Sequence, residues 1–310
     1  MNYASARIII SGRVKAAREN NIPVVALEST VLTHGLPYPQ NMEIFHTLED
    51  ILTENGVVAA TTIVLDGIAY IGMEDEQLEL LSKLLRQQGS FRKLGMRDLP
   101  LALAQEASGG TTVSATMRLA HHAGISVFAT GGIGGVHRGW QQHWDVSSDL
   151  SALAQIPVAV VSAGCKAILD VPATLEYLET LGVPVLGWNC ERFPLFYTRE
   201  SAYPISRLTS EDEFTEYWKQ HLALQGKGVL IANPIPSQYS IPAEQMEPPI
   251  ALAVETARQK GISGAALTPF LLDFLAQHTK GDSVEANLAL LKNNVRVAAR
   301  LAKALCGEEG

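Results

Sequence analysis

The sequence predicts an α/β fold: a three-layer α/β/α arrangement around a central mixed sheet, in a single domain over residues 1–310. Three observations carry that expectation. Short apolar, β-rich runs alternate with helix-patterned stretches along most of the chain, and several of the helical stretches close on a glycine, a common stop signal. No repeat, low-complexity tract or long Pro/Gly/Ser-rich linker divides the chain. With 47% hydrophobic and 18% charged residues, 310 residues suffice to bury a sizeable core.

The expected strands, in order, are "PVVAL" (23–27), "AATTIVLDG" (59–67), "AYIGM" (69–73), "ISVFATG" (125–131), "PVAVVSAG" (157–164), "PVLGW" (184–188) and "GVLIAN" (228–233). Several are continuous apolar runs rather than alternating ones, as a sheet covered on both faces requires. Between them lie the helical stretches "NMEIFHTLEDILTENG" (41–56), "DEQLELLSKLLRQQG" (75–89), "TTVSATMRLAHHAG" (111–124) and "PATLEYLETLG" (172–182). The last helix has the clearest pattern. Asp282 with Glu285 suits a capping box, and Val284, Leu288, Leu291, Val295 and Ala298 make an apolar stripe with Asn287 beside it.

Composition narrows the function classes. A formal charge of −8 and the lack of a basic stripe argue against nucleic acid as the main partner, while leaving room for a local basic pocket that holds a phosphate. No apolar run approaches the ~20 residues needed to span a bilayer. The stretch "MNYASARIIISGRVKAAREN" has too short an apolar centre for a secretory signal. Cys165, Cys190 and Cys306 are odd in number and widely spaced, which fits free thiols in a reducing compartment. A cytoplasmic protein is therefore expected.

Five segments look chemical rather than structural. In "VAVVSAGCKAILDVP" an apolar strand gives way to a small-residue turn and then Lys166, with "AILD" following like the first turns of a helix. Ligands bind at the carboxyl ends of strands in open α/β sheets, and burial there favours the neutral, nucleophilic amine. The bland reading is a lysine that reaches to water or neutralises Asp170, four residues on. In "VALESTVLTHGLPYPQN", Glu28 directly follows a buried-type strand, where desolvation favours the acid form and suits a general acid; it reads equally as a cap partner or turn carboxylate. His34 in the same segment is either catalytic or a plain hydrogen-bonding residue.

"FATGGIGGVHRG" is a glycine-rich loop after a strand, able to bring backbone close to an anion; it fits neither a dinucleotide fingerprint nor a P-loop, and reads otherwise as a tight turn. "HWDVSSDLSAL" carries Asp145, Ser147, Ser148 and Asp149, with His143 before them; hard oxygen ligands of this kind suit Mg²⁺ or Mn²⁺, and alternatively Ser148 or Asp149 caps a short helix. "FRKLGMRDLP" sets Arg92, Lys93 and Arg97 ahead of a helix start, where they hold a phosphate or are merely solvated.

Taken in order, "PVVALESTVLTHGLPYPQN", "FRKLGMRDLP", "GGTTVSATM", "VFATGGIGGVHRG", "DVSSDL", "VSAGCKAILD", "LIANPIP", "LTPFLL" and "GDSVEANLALLKNN" closely resemble the pseudouridine-5′-phosphate glycosidase family, which includes the indigoidine-biosynthesis protein A group. The resemblance runs from about residue 20 to residue 300. It implies a Mn²⁺-dependent, trimeric α/β/α enzyme that reversibly splits pseudouridine 5′-phosphate with water into uracil and ribose 5-phosphate. It places the lysine nucleophile on Lys166, the proton donor on Glu28 and the metal ligand on Asp145. Substrate contacts fall on Lys93, on Val113 through its backbone, on Ser147, Ser148 and Asp149, and on Asn287, with Thr130 and His137 in a matching loop. Cys165 and "RGWQQHW" are bulkier or more reactive than the family pattern, which bears on substrate detail rather than reaction type. Some relatives serve C-glycoside or pigment pathways, so the pentose phosphate is fixed more firmly than the base. A non-catalytic sugar-phosphate sensor and a Schiff-base aldolase are the rival classes.

Overall fold

The computed structural model describes residues 7–87, 91–262, 264 and 267–307. Its strands are β1 (Ile8–Ile10), β2 (Val24–Leu27), β3 (Val58–Leu65), β4 (Ile68–Ile71), β5 (Arg92–Leu94), β6 (Gly109–Thr111), β7 (Val127–Ala129), β8 (Ala159–Ser162), β9 (Val185–Trp188), β10 (Ser206–Leu208) and β11 (Val229–Ala232). They join in one sheet whose main path is β1-β4-β3-β2-β7-β8-β11-β9-β10, with β6 beside β3 and β5 beside β6. The sheet is mixed: β3 runs antiparallel to β4 and β6, and the other pairings are parallel. β3 is long enough to serve two neighbours on one edge, pairing Val58–Thr61 with β2 and Ile63–Val64 with β6.

All seven expected strands are present. β1, β5, β6 and β10 were not expected; each has three residues, too few to display a period. The central strands β2, β7, β8 and β11 are buried along their whole length. Each Val or Leu so covered contributes about 1.5–3 kcal/mol relative to exposure.

Helices cover both faces. Asp282–Cys306 lies across β2, β7 and β8 and packs on the helices Gln40–Glu54 and Glu211–Ala223; Val113–His122 covers β2, β3, β6 and β7 from the other side together with Ser148–Leu153. The helix expected over 75–89 runs Asp75–Arg86, residues 88 and 89 lying outside those described. The one expected over 111–124 starts later, at Val113, because Gly109–Thr111 is held in the sheet.

Two local expectations are corrected. Asp282 does not cap the last helix: the preceding Gly281 takes φ 95°, and neither it nor Asp282 supplies a cap. The Ser283 N–H instead bonds the Thr279 hydroxyl at 3.2 Å. "AILD" is not helix either. Residues 166–169 form a turn closed by Leu169 N–H to the Lys166 carbonyl at 3.0 Å, and the helix Val171–Thr180 begins after Asp170, which caps it by accepting the Ala173 N–H at 3.0 Å. Asp170 thus serves the helix and not Lys166.

The strand order locates the ligand crevice. From β2 the chain crosses to β3 on one side, while from β7 it crosses to β8 on the other. β2 and β7 are adjacent, so the connections diverge between them and open a cleft at their carboxyl ends. Among the described residues no helix is long and apolar enough to cross a membrane.

Candidate active site

Glu28 follows β2, Thr130 follows β7 and Lys166 follows β8 after three intervening residues, so three sequence-distant segments meet at that cleft. The turn into Lys166 depends on Gly164, at φ 84°; a Cβ there would come within 2.9 Å of the Phe193 ring and closer still to the Pro194 carbonyl. The Lys166 N–H then bonds the Ile133 carbonyl at 3.1 Å, fixing the backbone against the glycine-rich loop.

Two chambers open from this point. The first, with about 750 Å³ of empty space that includes its opening to solvent, is walled by Glu28, Thr130, Asn287 and Phe196 among mainly apolar side chains. The second, about 990 Å³ by the same measure, is polar and contains Arg97, His137, Asp145, Ser147, Ser148 and Asp149. Lys93, Lys166 and Thr268 line both. The two amines therefore stand in the wall between an apolar and a polar compartment.

The Glu28 carboxylate is half-buried and accepts hydrogen bonds from two hydroxyls, Thr30 on one oxygen and Thr130 on the other. These two partners orient the carboxylate at the chamber wall. His34 lines the same chamber with both ring nitrogens engaged, Nδ1 2.7 Å from the Thr33 hydroxyl and Nε2 3.2 Å from the Phe91 carbonyl. Burial, and to a lesser extent Lys93, draws its pKa down against the effect of the Phe91 carbonyl. Asn287 lies against Gly131, where a Cβ would come within 3.3 Å of its Oδ1.

In the second chamber Asp149 is almost fully buried and both its oxygens are taken, Oδ1 by the Ser114 N–H and Oδ2 by the Gly134 N–H, each at 2.9 Å. It stabilises the amino end of the helix Val113–His122. Ser147, not Ser148 or Asp149, caps the helix Ser148–Leu153, its hydroxyl accepting the Asp149 N–H at 3.2 Å. The Ser148 hydroxyl lies 3.2 Å from that of Ser114. Val113 itself is buried, which leaves only its backbone for a ligand; as the first helical residue, its N–H is one of the donors a helix start leaves without an internal acceptor.

The glycine-rich loop is a scaffold more than an anion cradle. Its N–H groups from Ile133, Gly134, Val136 and His137 go to Gly164, Asp149, Thr174 and Asp145 respectively. A Cβ on Gly132 would meet the Phe196 ring at 2.6 Å, and one on Gly134 would meet Asp149 Oδ2 at 2.7 Å, so glycine is needed for close packing. Gly134→Ala is expected to lower the unfolding free energy by about 1–3 kcal/mol, the usual cost of overpacking, measured by urea titration. A variant as stable as the parent would show that Asp149 moves aside freely.

Burial, reinforced by Lys166, pulls Lys93 from 10.5 down to about 8, against the opposing influence of Asp149, Glu28 and Asp145. Burial likewise lowers His137, with Lys93 and Lys166 adding to it and Asp145 opposing. The Asp145 carboxylate faces this chamber and takes no hydrogen bond from the described residues.

Other expectations are corrected here. Arg92 points to solvent and donates to Gln105 at 2.7 Å, since alternate residues of β5 face opposite ways; only Lys93 and Arg97 of that basic segment reach the chamber. His143 is exposed and lines neither chamber, and Trp144 is 78% exposed, so "RGWQQHW" does not crowd the site. Cys165 is not reactive: full burial pushes its thiol up to about 12. Three contributors were not anticipated. Thr30 sits two residues after Glu28, Asn294 is a polar residue within the buried face of the last helix, and Phe196 carries no local signal at all.

The fold and this site define an α/β enzyme with a ligand cleft at its strand ends, where an amine and a carboxyl group line one chamber. Comparison with known proteins then fixes its relatives. The chain belongs to the indigoidine synthase A-like family, whose model matches residues 13–304. It is 50% identical over 298 residues to the pseudouridine-5′-phosphate glycosidase of Caldanaerobacter subterraneus subsp. tengcongensis, covering 95% of each chain. It is 45% identical over 300 residues to the pseudouridine-5′-phosphate glycosidase of Glaesserella parasuis, covering 95% of this chain and 97% of that one. Among solved structures, the prealnumycin C-glycosynthase in complex with ribulose 5-phosphate superposes with a TM-score of 0.89 at 33% identity, covering 99% of both chains. An indigoidine synthase A-like protein from Thermotoga maritima gives 0.88 at 35% identity, with 99% of both covered.

Proposed function

We propose that this protein reversibly cleaves the C-glycosidic bond of pseudouridine 5′-phosphate, with water, to uracil and ribose 5-phosphate through an imine between Lys166 and the sugar. The observation that carries this reading is the position of Lys166 between two unlike chambers, with Glu28 in the apolar one. The polar chamber suits the phosphate: Lys93, Arg97 and the serine hydroxyls offer cations and neutral donors, while Val113, expected to contact substrate through its backbone, lines neither chamber. The apolar chamber receives the base, with Asn287 at its wall.

A C-glycoside has carbon where an N-glycoside has nitrogen, so the base is a poor leaving group without an electron sink. Glu28 gives a proton to the ribose ring oxygen as the C1′–O4′ bond breaks, and Lys166 Nζ bonds C1′. Glu28 takes back a proton from the alkylated Nζ and delivers it to C5 of the uracil while the C1′–C5 bond breaks, and the freed Nζ lone pair becomes the C=N bond of the imine. Water adds at C1′, the C–N bond breaks, and ribose 5-phosphate leaves with the amine restored. Thr30 and Thr130 hold Glu28 toward the sugar throughout.

A hard divalent ion fits the polar chamber on donor chemistry. Among the described residues no three His, Cys, Asp or Glu side chains form a metal-binding group, and Asp149 is fully engaged. Of the described carboxylates lining this chamber, Asp98 and Asp149 are engaged and Asp145 takes no hydrogen bond, which suits an ion such as Mn²⁺ that keeps most of its waters. Bound there, the ion supplies positive charge to substrate oxygens. A chelator is expected to abolish turnover of uracil with ribose 5-phosphate, and added Mn²⁺ to restore it; turnover unaffected by chelator would remove the metal from this reading. A trimeric, cytoplasmic enzyme completes the proposal, its assembly read by sedimentation.

The solved C-glycosynthase with bound ribulose 5-phosphate supports a pentose phosphate more directly than it supports any one base. The deciding assay is incubation with uracil, ribose 5-phosphate and the metal, followed by chromatography for a C-linked product. Absence of that product, with the sugar phosphate still bound, would leave another acceptor as the reading.

A further inference from the structure

Asn294 lies at the centre of the last helix, fully buried, beneath the cleft rather than in either chamber. Its Nδ2 donates to the Thr130 carbonyl at 2.8 Å and to the Gly131 carbonyl at 3.3 Å. Its Oδ1 accepts from Asn233 Nδ2 at 2.9 Å. Thr130 directly follows β7 and Asn233 directly follows β11, so one side chain ties together the carboxyl ends of two strands with β8 between them. Backbone pairing runs on past those ends, from the Thr130 N–H to the Val161 carbonyl and from the Ala163 N–H to the Gly131 carbonyl, and the buried Thr130 carbonyl takes its bond from Asn294. A buried asparagine in an otherwise apolar helix face is destabilising unless satisfied; here both ends of the amide are satisfied.

The connection to the chemistry is short. Thr130 presents its carbonyl to Asn294 and its hydroxyl to Glu28. We propose that Asn294 is a positioning residue: by anchoring the Thr130–Gly131 backbone to the last helix and to β11, it fixes the direction from which Thr130 holds the Glu28 carboxyl. The inference rests on the reading of Glu28 as the acid. Asn293, one residue earlier, makes the natural control, because its Nδ2 bonds the Pro234 carbonyl at 3.2 Å and never reaches Thr130.

The test compares Asn294→Ala, Asn293→Ala, Thr130→Val and the double variant N294A/T130V. Wild-type turnover is measured first, so that failure of the functional reading appears there and not in the variants. N294A is expected to lower kcat about 10- to 100-fold, the cost of displacing a catalytic group by around an ångström, with KM for ribose 5-phosphate changed by less than about threefold. N293A is expected to keep the wild-type kcat. The double variant should be no slower than the slower single one, because both act through the same hydroxyl. Should N294A fail to fold, Asn294→Ser, which keeps a short donor, takes its place. A merely structural role gives lowered thermal stability with kcat per folded enzyme unchanged, or additive effects in the double variant; either result overturns the proposal. A crystal structure of the variant in which Thr130 and Glu28 keep their places overturns it as well, whatever the turnover.

Discussion

Lys166→Ala is expected to abolish turnover, by on the order of 10⁴-fold or more, the scale on which removal of a covalent nucleophile is felt. The variant should fold, because the turn that presents Lys166 is fixed by Gly164 and by backbone bonds to Ile133 and Leu169, none of which uses the amine. Borohydride added to the wild-type enzyme with ribose 5-phosphate should reduce the imine to a stable secondary amine. Mass spectrometry of the peptide containing Lys166 then shows the added sugar phosphate, and the alanine variant shows none. Lys93 is the informative competitor, since it shares both chambers and is itself held near 8. A label on Lys93, or substantial turnover by Lys166→Ala, would move the covalent chemistry to the other amine.

Glu28→Gln is expected to cost about 10²- to 10⁴-fold in kcat, the range associated with a positioned general acid. The substitution is nearly isosteric, and the carboxamide oxygen still accepts from one of the two threonine hydroxyls while the other rotates to a new partner. Stability should therefore change little, and KM for ribose 5-phosphate should stay close to wild type because Arg97 and the serine hydroxyls proposed to hold the phosphate line the other chamber. A kcat within about threefold of wild type would show that another group delivers the proton.

Much of the fold was legible in the sequence for a plain reason. Strands such as "VAVV" and "VLIA" are covered on both faces, so they must be apolar throughout, and the helices between them stop at recognisable residues. What escaped was short or depended on distant neighbours. β5 and β6 are three residues each and exist because β3 is long enough to offer a second pairing partner beyond β2. The capping box at Asp282 failed because Thr279, four residues before Ser283, reaches the orphan N–H first through a left-handed turn at Gly281.

The site divides in the same way. Glu28 and Lys166 each followed an expected strand, Lys93 and Asp145 stood in polar segments of their own, and the order of those segments matched a known family. Sequence showed them as separate suspicions; only the divergence of the chain at β2 and β7 makes them neighbours. Asp149 had the right residue type for a metal ligand, yet two backbone N–H groups claim both of its oxygens. Asn294 went unread because a lone amide on a helix announces nothing about the carbonyls it will meet 163 or more residues away in the chain.

An amine standing in the partition between two compartments also separates two departures in time. On the proposed imine route, a nucleobase that drifts out through its greasy vestibule would leave the pentose doubly tethered, by its linkage to nitrogen at one end and by ionic contacts at the other. A different heterocycle could then enter before water arrives, so that route predicts base swapping on a retained sugar.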